Sequence, residues 1–106
     1  MARVISINPT TEEIFGELEE DSDSTIAEKV SNAMEDKSWG KKLVGDRARI
    51  IGRLVDLLEE NKEDLARTMA MEMGKPIKAG RHEIDIAKKN VTNIRNIKRR
   101  LQAAIR

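Results

Sequence analysis

From Asp46 to Ile105 the apolar residues recur three and four positions apart, punctuated at Asn61 and at Gly74–Lys75–Pro76. A spacing near 3.6 residues is that of helices with one apolar face, so more than half of this chain is committed to helix. The punctuation divides it. A helix beginning near Asp46 is expected to bury Ile51, Leu54, Val55 and Leu58, with Ile50 and Leu57 widening the stripe. Asn61 with Asp64 three residues on has the form of a capping pair, so a new helix should start there. It carries Leu65, Met69 and Met73 and ends at Gly74, with Pro76 just beyond.

The last helix is the longest. Its apolar positions run Ile84, Ala87, Val91, Ile94, Leu101 and Ile105, interrupted once by Lys98. Continuous from Ile77 to Ile105 it would be about 43 Å long, and would outreach the others. These six residues are the candidate interface: the seam either closes inside the chain or meets a second copy. Upstream, Ser22 or Ser24 is placed to cap a first helix with Ile26, Ala27, Val30, Ala33 and Met34 on one face. That helix should stop by Lys37, leaving Trp39 and Gly40 in a loop.

Residues 1–21 read differently. Asn8-Pro9 is a turn signal, and the short apolar runs on either side of it suggest an extended arm or a hairpin of two short strands. Two strands are marginal alone and need a surface to lie on, from the helices or from another chain. The expected fold is therefore all-α: one domain over residues 1–106, a four-helix arrangement with a long C-terminal helix and a short extended or hairpin N-terminal arm.

Composition narrows the chemistry. There is no cysteine, hence no disulfide, thiolate nucleophile or cysteine zinc site. Phe15 and Trp39 are the only aromatics, too few for a platform that stacks single-stranded bases. No apolar run approaches a membrane span and no signal-like segment follows Met1, so the expectation is a cytoplasmic chain with no membrane partner. Twenty Lys and Arg balance nineteen Asp and Glu, but unevenly. Residues 12–23 hold seven acids and no base, and residues 86–106 hold seven bases and no acid. The basic cluster Lys88, Lys89, Arg95, Lys98, Arg99 and Arg100 is the one feature suited to a polyanion, and nucleic acid is the alternative partner it implies.

No catalytic constellation emerges. His82 and Asp85 offer two metal ligands at most, and the acids of residues 17–23 lack the glycine and spacing of a calcium loop. Asn90-Val91-Thr92 fits a glycosylation sequon by letter but falls in mid-helix. No glycine-rich phosphate loop is present, and no nucleophile, base and oxyanion donor come together. The residues call for no catalytic site, metal, cofactor or small-molecule substrate. Self-association through the long helix or the N-terminal arm is the partner reading they favour.

The segments resemble a known family. Ile7–Asn8–Pro9–Thr10–Thr11–Glu12–Glu13–Ile14 is similar to the INPATGEVI opening of aldehyde dehydrogenases, and Trp39 sits where that family has a tryptophan after its first helix. Asp46–Arg47–Ala48–Arg49–Ile50–Ile51, with Leu54–Val55–Asp56–Leu57–Leu58–Glu59–Glu60–Asn61 and Lys62–Glu63–Asp64–Leu65–Ala66 after it, resembles the family's ERARIL and LADLLEENKEELA helices. Met71–Glu72–Met73–Gly74–Lys75–Pro76 is close to its LEMGKP signature. The spacing holds from about residue 5 to residue 90, and the short N-terminus looks most like the succinate-semialdehyde branch. The resemblance implies a parent that oxidises aldehydes with NAD(P). It also implies that the family's catalytic cysteine, general-base glutamate and coenzyme-binding sheet lie beyond this region, leaving a structural role here. After residue 87 the family's aromatic and alanine-rich positions are replaced by charge, the pattern expected of an engineered or resurfaced fragment.

Overall fold

A computed structural model of the chain describes residues 2–96 together with 100 and 104. The elements are β1 (Arg3–Ile7), β2 (Ile14–Glu19), α1 (Asp23–Glu35), α2 (Ser38–Lys41), α3 (Val44–Glu60), α4 (Lys62–Met73) and α5 (Ile77–Arg95). The all-α architecture with a short N-terminal arm is as the sequence predicts. The arm is a hairpin. β1 and β2 pair antiparallel, Val4 opposite Leu18 and Ile5 opposite Glu17, with a bulge between Ser6 and Ile7.

The turn that joins them is built by Asn8. Its side-chain oxygen accepts from the Thr10 backbone N–H at 2.9 Å, and its own backbone N–H donates to the Glu13 carbonyl at 2.9 Å. Glu12 closes the loop at φ 63°, a left-handed conformation that few side chains other than Asn, Asp or Gly adopt readily. At the far end of the hairpin the Ser22 hydroxyl accepts from the Thr25 N–H at 3.2 Å and caps α1.

Two expected boundaries move. Trp39 and Gly40 are not in a loop, because Ser38–Lys41 wind into the short helix α2, whose Ser38 N–H donates to the Asp36 carboxylate at 2.9 Å. Asn61 does not cap α4 through its side chain. Its amide turns back and donates to the Leu57 carbonyl at 2.8 Å, so it closes α3 instead. The Leu57 carbonyl, near the C-terminal end of α3, thus accepts from both the Asn61 backbone N–H, at 3.0 Å, and the Asn61 side-chain amide. Gly74 ends α4 as expected, at φ 70° with its N–H on the Ala70 carbonyl.

α5 packs on both α3 and α4, and there the core lies. Ala66 is fully buried and Ile84 is 4% exposed. The α4–α5 crossing is close enough that a Cβ on Gly80 would sit 3.2 Å from both Cα and Cβ of Ala66. The hairpin reaches α4 by its turn, where a Cβ on Gly74 would lie 3.0 Å from the Pro9 ring. α1 has no buried residue. The helices therefore form a packed trio, α3, α4 and α5, with α1 standing apart.

The expected α3 stripe is only partly covered. Ile51, Val55 and Leu58 are half-buried, whereas Leu54 is exposed beside Ile50 and Leu57, because among the described residues nothing lies over that side of α3. Met73, expected on the inner face of α4, is 63% exposed for the same reason. The molecule is open. Its radius of gyration is 18.7 Å, against about 13 Å for a compact chain of this length. It exposes 8686 Å², where a folded monomer of this mass shows about 6,000 Å².

Candidate interaction surface

The two flanks of α5 have opposite characters. On one, charged side chains tie it to the α3–α4 junction. The Arg81 guanidinium grips the Glu63 carboxylate with two bonds of 2.7 and 3.0 Å. Lys62 donates to Asp85 at 2.8 Å, and Lys88 donates to Glu59. Spacings of four and three along α5 put Arg81, Asp85 and Lys88 on this one side. The hydrogen bond from Arg81 holds the Glu63 carboxyl below its ordinary range, and Lys62 does the same for Asp85. In return the Asp85 carboxylate raises Lys62. All of these groups are solvated, so the pairs set the register of the helices more than their stability.

The other flank of α5 borders an open apolar cleft of about 390 Å³, lined by Met69, Glu83, Ile84, Ile86, Ala87 and Asn90. The candidate seam crosses it. Ile84 lies in the core, so it is not available to a second copy: the α4–α5 crossing covers it. Ala87 and Val91 are half-buried, and Ile94 is 53% exposed. Leu101 and Ile105 lie outside the described residues. The predicted interface is thus core at its start and open by Ile94.

The basic cluster is also divided. Lys88 is engaged by Glu59, while Lys89 and Arg100 are exposed. Arg95 ends α5, and Lys98 and Arg99 lie outside the described residues. Asp85, the would-be metal partner of His82, is held by Lys62. Among the described residues no group of three or more His, Cys, Asp or Glu is placed to hold a metal ion, and no helix is long and apolar enough to cross a membrane. Thr92 of the sequon turns its hydroxyl onto the Lys88 carbonyl at 2.8 Å, inside α5.

Sequence reasoning understated how much apolar surface stays open. Ile26, Val30 and Met34 of α1 are 49%, 53% and 68% exposed, and Leu43 is 74% exposed. Periodicity marks such faces as apolar but carries no information on whether a second surface exists to cover them. The Arg47 Nε, at the foot of α3, is buried with no hydrogen-bond partner among the described residues.

The same fold recurs in larger enzymes. A betaine aldehyde dehydrogenase of Staphylococcus aureus superposes with a TM-score of 0.83 over 91% of this chain, at 18% identity and over 20% of its own chain. An aldehyde dehydrogenase from Bacillus cereus matches at 0.76 and 29% identity, over 85% of this chain and 19% of its own. By sequence, a malonate-semialdehyde dehydrogenase of Halalkalibacterium halodurans is 38% identical over 78 residues, 73% of this chain and 16% of that protein. Another, from Bacillus velezensis, is 37% identical over 70 residues, 65% of this chain and 14% of that protein. The chain spans a fifth or less of the length of each of these proteins. The family model for the aldehyde dehydrogenase family covers residues 2–105, and the chain belongs to that family.

Proposed function

We propose that this chain is a non-catalytic structural segment of an NAD(P)-dependent aldehyde dehydrogenase, whose open apolar faces dock onto the remainder of such an enzyme. The observation that carries this reading is the imbalance of its surface. Twenty large apolar side chains are exposed among the described residues, while only Ala66 and Ile84 form a buried apolar core. Exposed apolar area on this scale marks an interaction surface. The outer α3 stripe of Ile50, Leu54 and Leu57, and the cleft beside α5, are the faces best placed for it. Because these faces keep their apolar residues, they support a truncated piece over a resurfaced one. The names of the relatives support a whole enzyme acting on a short semialdehyde such as malonate semialdehyde, and our reading places that enzyme in the cytoplasm.

The test is complementation. A malonate-semialdehyde dehydrogenase stripped of the matching segment is titrated with this chain, following binding and NADH formation. Saturable binding with recovered aldehyde oxidation is expected, with no oxidation by this chain alone. Absence of binding at concentrations up to about 100 μM overturns the reading, since a standard interface holds micromolar or better.

A further inference from the structure

We propose that the outer edge of β1 pairs antiparallel with β1 of a second copy of this chain, joining two hairpins into one four-stranded sheet. A strand edge differs from an apolar face because its backbone dictates what covers it, namely another strand. The alternation of the ladder tells which groups are free. The Ala2 carbonyl accepts from the Glu20 N–H at 3.0 Å, and the Asn8 N–H donates to the Glu13 carbonyl at 2.9 Å, so the even-numbered residues of β1 face β2. The N–H and C=O groups of Arg3, Ile5 and Ile7 therefore point away from β2. Among the described residues, no backbone group elsewhere in the chain bonds to them. α4 borders the face of Val4 and Ser6, where Glu72 lines a cleft of about 240 Å³ with them. Ile5 and Ile7, on the opposite face, are 48% and 53% exposed.

The edge is self-complementary. With Ile5 set opposite Ile5 of the second copy, Arg3 falls opposite its Ile7 and Ile7 opposite its Arg3. Free residue then meets free residue throughout, and about six hydrogen bonds form between the copies. A slip of one residue would set free groups against occupied ones. The two-fold axis passes through Ile5 and closes the pairing at two copies. Nothing in β1 guards this edge: Arg3–Ile7 holds no proline and no lysine, and the extra residue at the bulge is Phe15 of β2. Its one charge, Arg3, is already bonded to Glu17 at 3.0 Å and meets an isoleucine, not a second arginine, across the seam. β2 is the contrary case. Its free residues include Glu17 and Glu19, which self-pairing would set against like charges, and the bulge breaks the edge. The pairing uses none of the helix faces assigned to docking onto a dehydrogenase, so each reading can fail without the other.

Sedimentation equilibrium of the 106-residue chain at 5–500 μM tests it, together with nuclear magnetic resonance. The expected result is a dimer of about 24 kDa whose Kd changes less than about threefold between 50 and 500 mM NaCl, because backbone bonds and not charges hold it. The Arg3, Ile5 and Ile7 amides should exchange more slowly as concentration rises. A half-labelled sample should show a contact between copies from the Val4 Hα to the Ser6 Hα. Ile5→Pro removes a free N–H while sparing the bonds to β2, and should weaken pairing at least about tenfold. Glu19→Pro makes the same change on the free edge of β2 and should leave the dimer intact. The cross-strand contact of Val4 with Leu18 reports that the hairpin persists in both variants. A monomer at 500 μM overturns the proposal. So does a dimer that survives Ile5→Pro, one lost in Glu19→Pro with the hairpin intact, or one broken by Val30→Asp or Ile94→Asp, which would place the interface on the helices.

Discussion

The α4–α5 crossing and α1 are both made from helices with one apolar face, yet only the crossing has a surface to set against that face. At the crossing, small residues let the backbones approach until Gly80 touches Ala66, and Ile84 fills the space beside them. α1 has an equally regular stripe and a proper Ser22 cap, but all three large residues on it are about half exposed or more. Helix formation and helix burial are therefore separate achievements in this chain. Local signals suffice for the first, and the second depends on how much chain is available to pack. The malonate-semialdehyde dehydrogenase of Halalkalibacterium halodurans, of which the matched stretch is 16%, has several times this length of polypeptide to cover such faces.

Substituting the same charge into both regions gives the sharpest break between them. Ile84→Asp places an unpaired carboxylate among apolar side chains and should cost several kcal/mol, enough to abolish cooperative thermal unfolding followed at 222 nm. Val30→Asp should shift the stability of the monomer by less than about 0.5 kcal/mol, since the side chain already meets water. Equal effects at the two sites would mean that α1 is packed as tightly as the crossing, and the contrast would fail.

Adding volume discriminates almost as well. Gly80→Val pushes methyl groups into the backbone of Ala66 and should destabilise by about 2 kcal/mol, read as a lower urea midpoint. Gly40→Ala in α2 meets no atom within 4 Å and should be neutral or stabilise by a few tenths of a kcal/mol. Gly74→Ala falls between them. It forces a side chain into φ 70° and against Pro9, and should cost about 1 kcal/mol while loosening the hairpin, visible as faster amide exchange across β1 and β2.

This comparison also explains which features were legible in the sequence. The helices α1, α3, α4 and α5, the Asn8-Pro9 turn and the Gly74 stop are each specified by residues within a few positions, and the sequence predicts each of them. The winding of Ser38–Lys41 was missed because Gly40 and the short span argue for a loop, while the Asp36 carboxylate that receives the Ser38 N–H carries no strong signal. The reversal of the Asn61 amide was missed because a side chain between two helices can serve either, and the pattern names only one. By its spacing the seam Ile84–Ala87–Val91–Ile94 is one face, yet it passes from core to open surface, since a repeat along α5 does not record where α4 ends. The clamp of Arg81, Lys62 and Lys88 across 18 to 29 residues had no local signature at all.

The smallest expected effect comes from protons, and it separates the two regions by the partners their carboxylates keep. Glu63 and Asp85 are held below their ordinary values of 4.5 and 3.8 by Arg81 and Lys62, and Asp36, at the end of α1, is held below 3.8 by Ser38. A lowered folded pKa means that each contribution is complete above the ordinary value and fades as pH falls through the lowered one. Lys62 is raised above 10.5, so its share is complete below that value and is lost as pH climbs past it. The α4–α5 clamp should therefore weaken slightly at both ends of the pH range, and the α1 terminus only at the acid end. Because every group is solvated, the changes should be small and should shrink further in salt. Nuclear magnetic resonance titration of the three carboxyls, with amide exchange near Lys62 at high pH, checks both limbs. A clamp insensitive to alkali would show that Lys62 holds Asp85 no better than water does, leaving apolar packing alone to distinguish the crossing from α1.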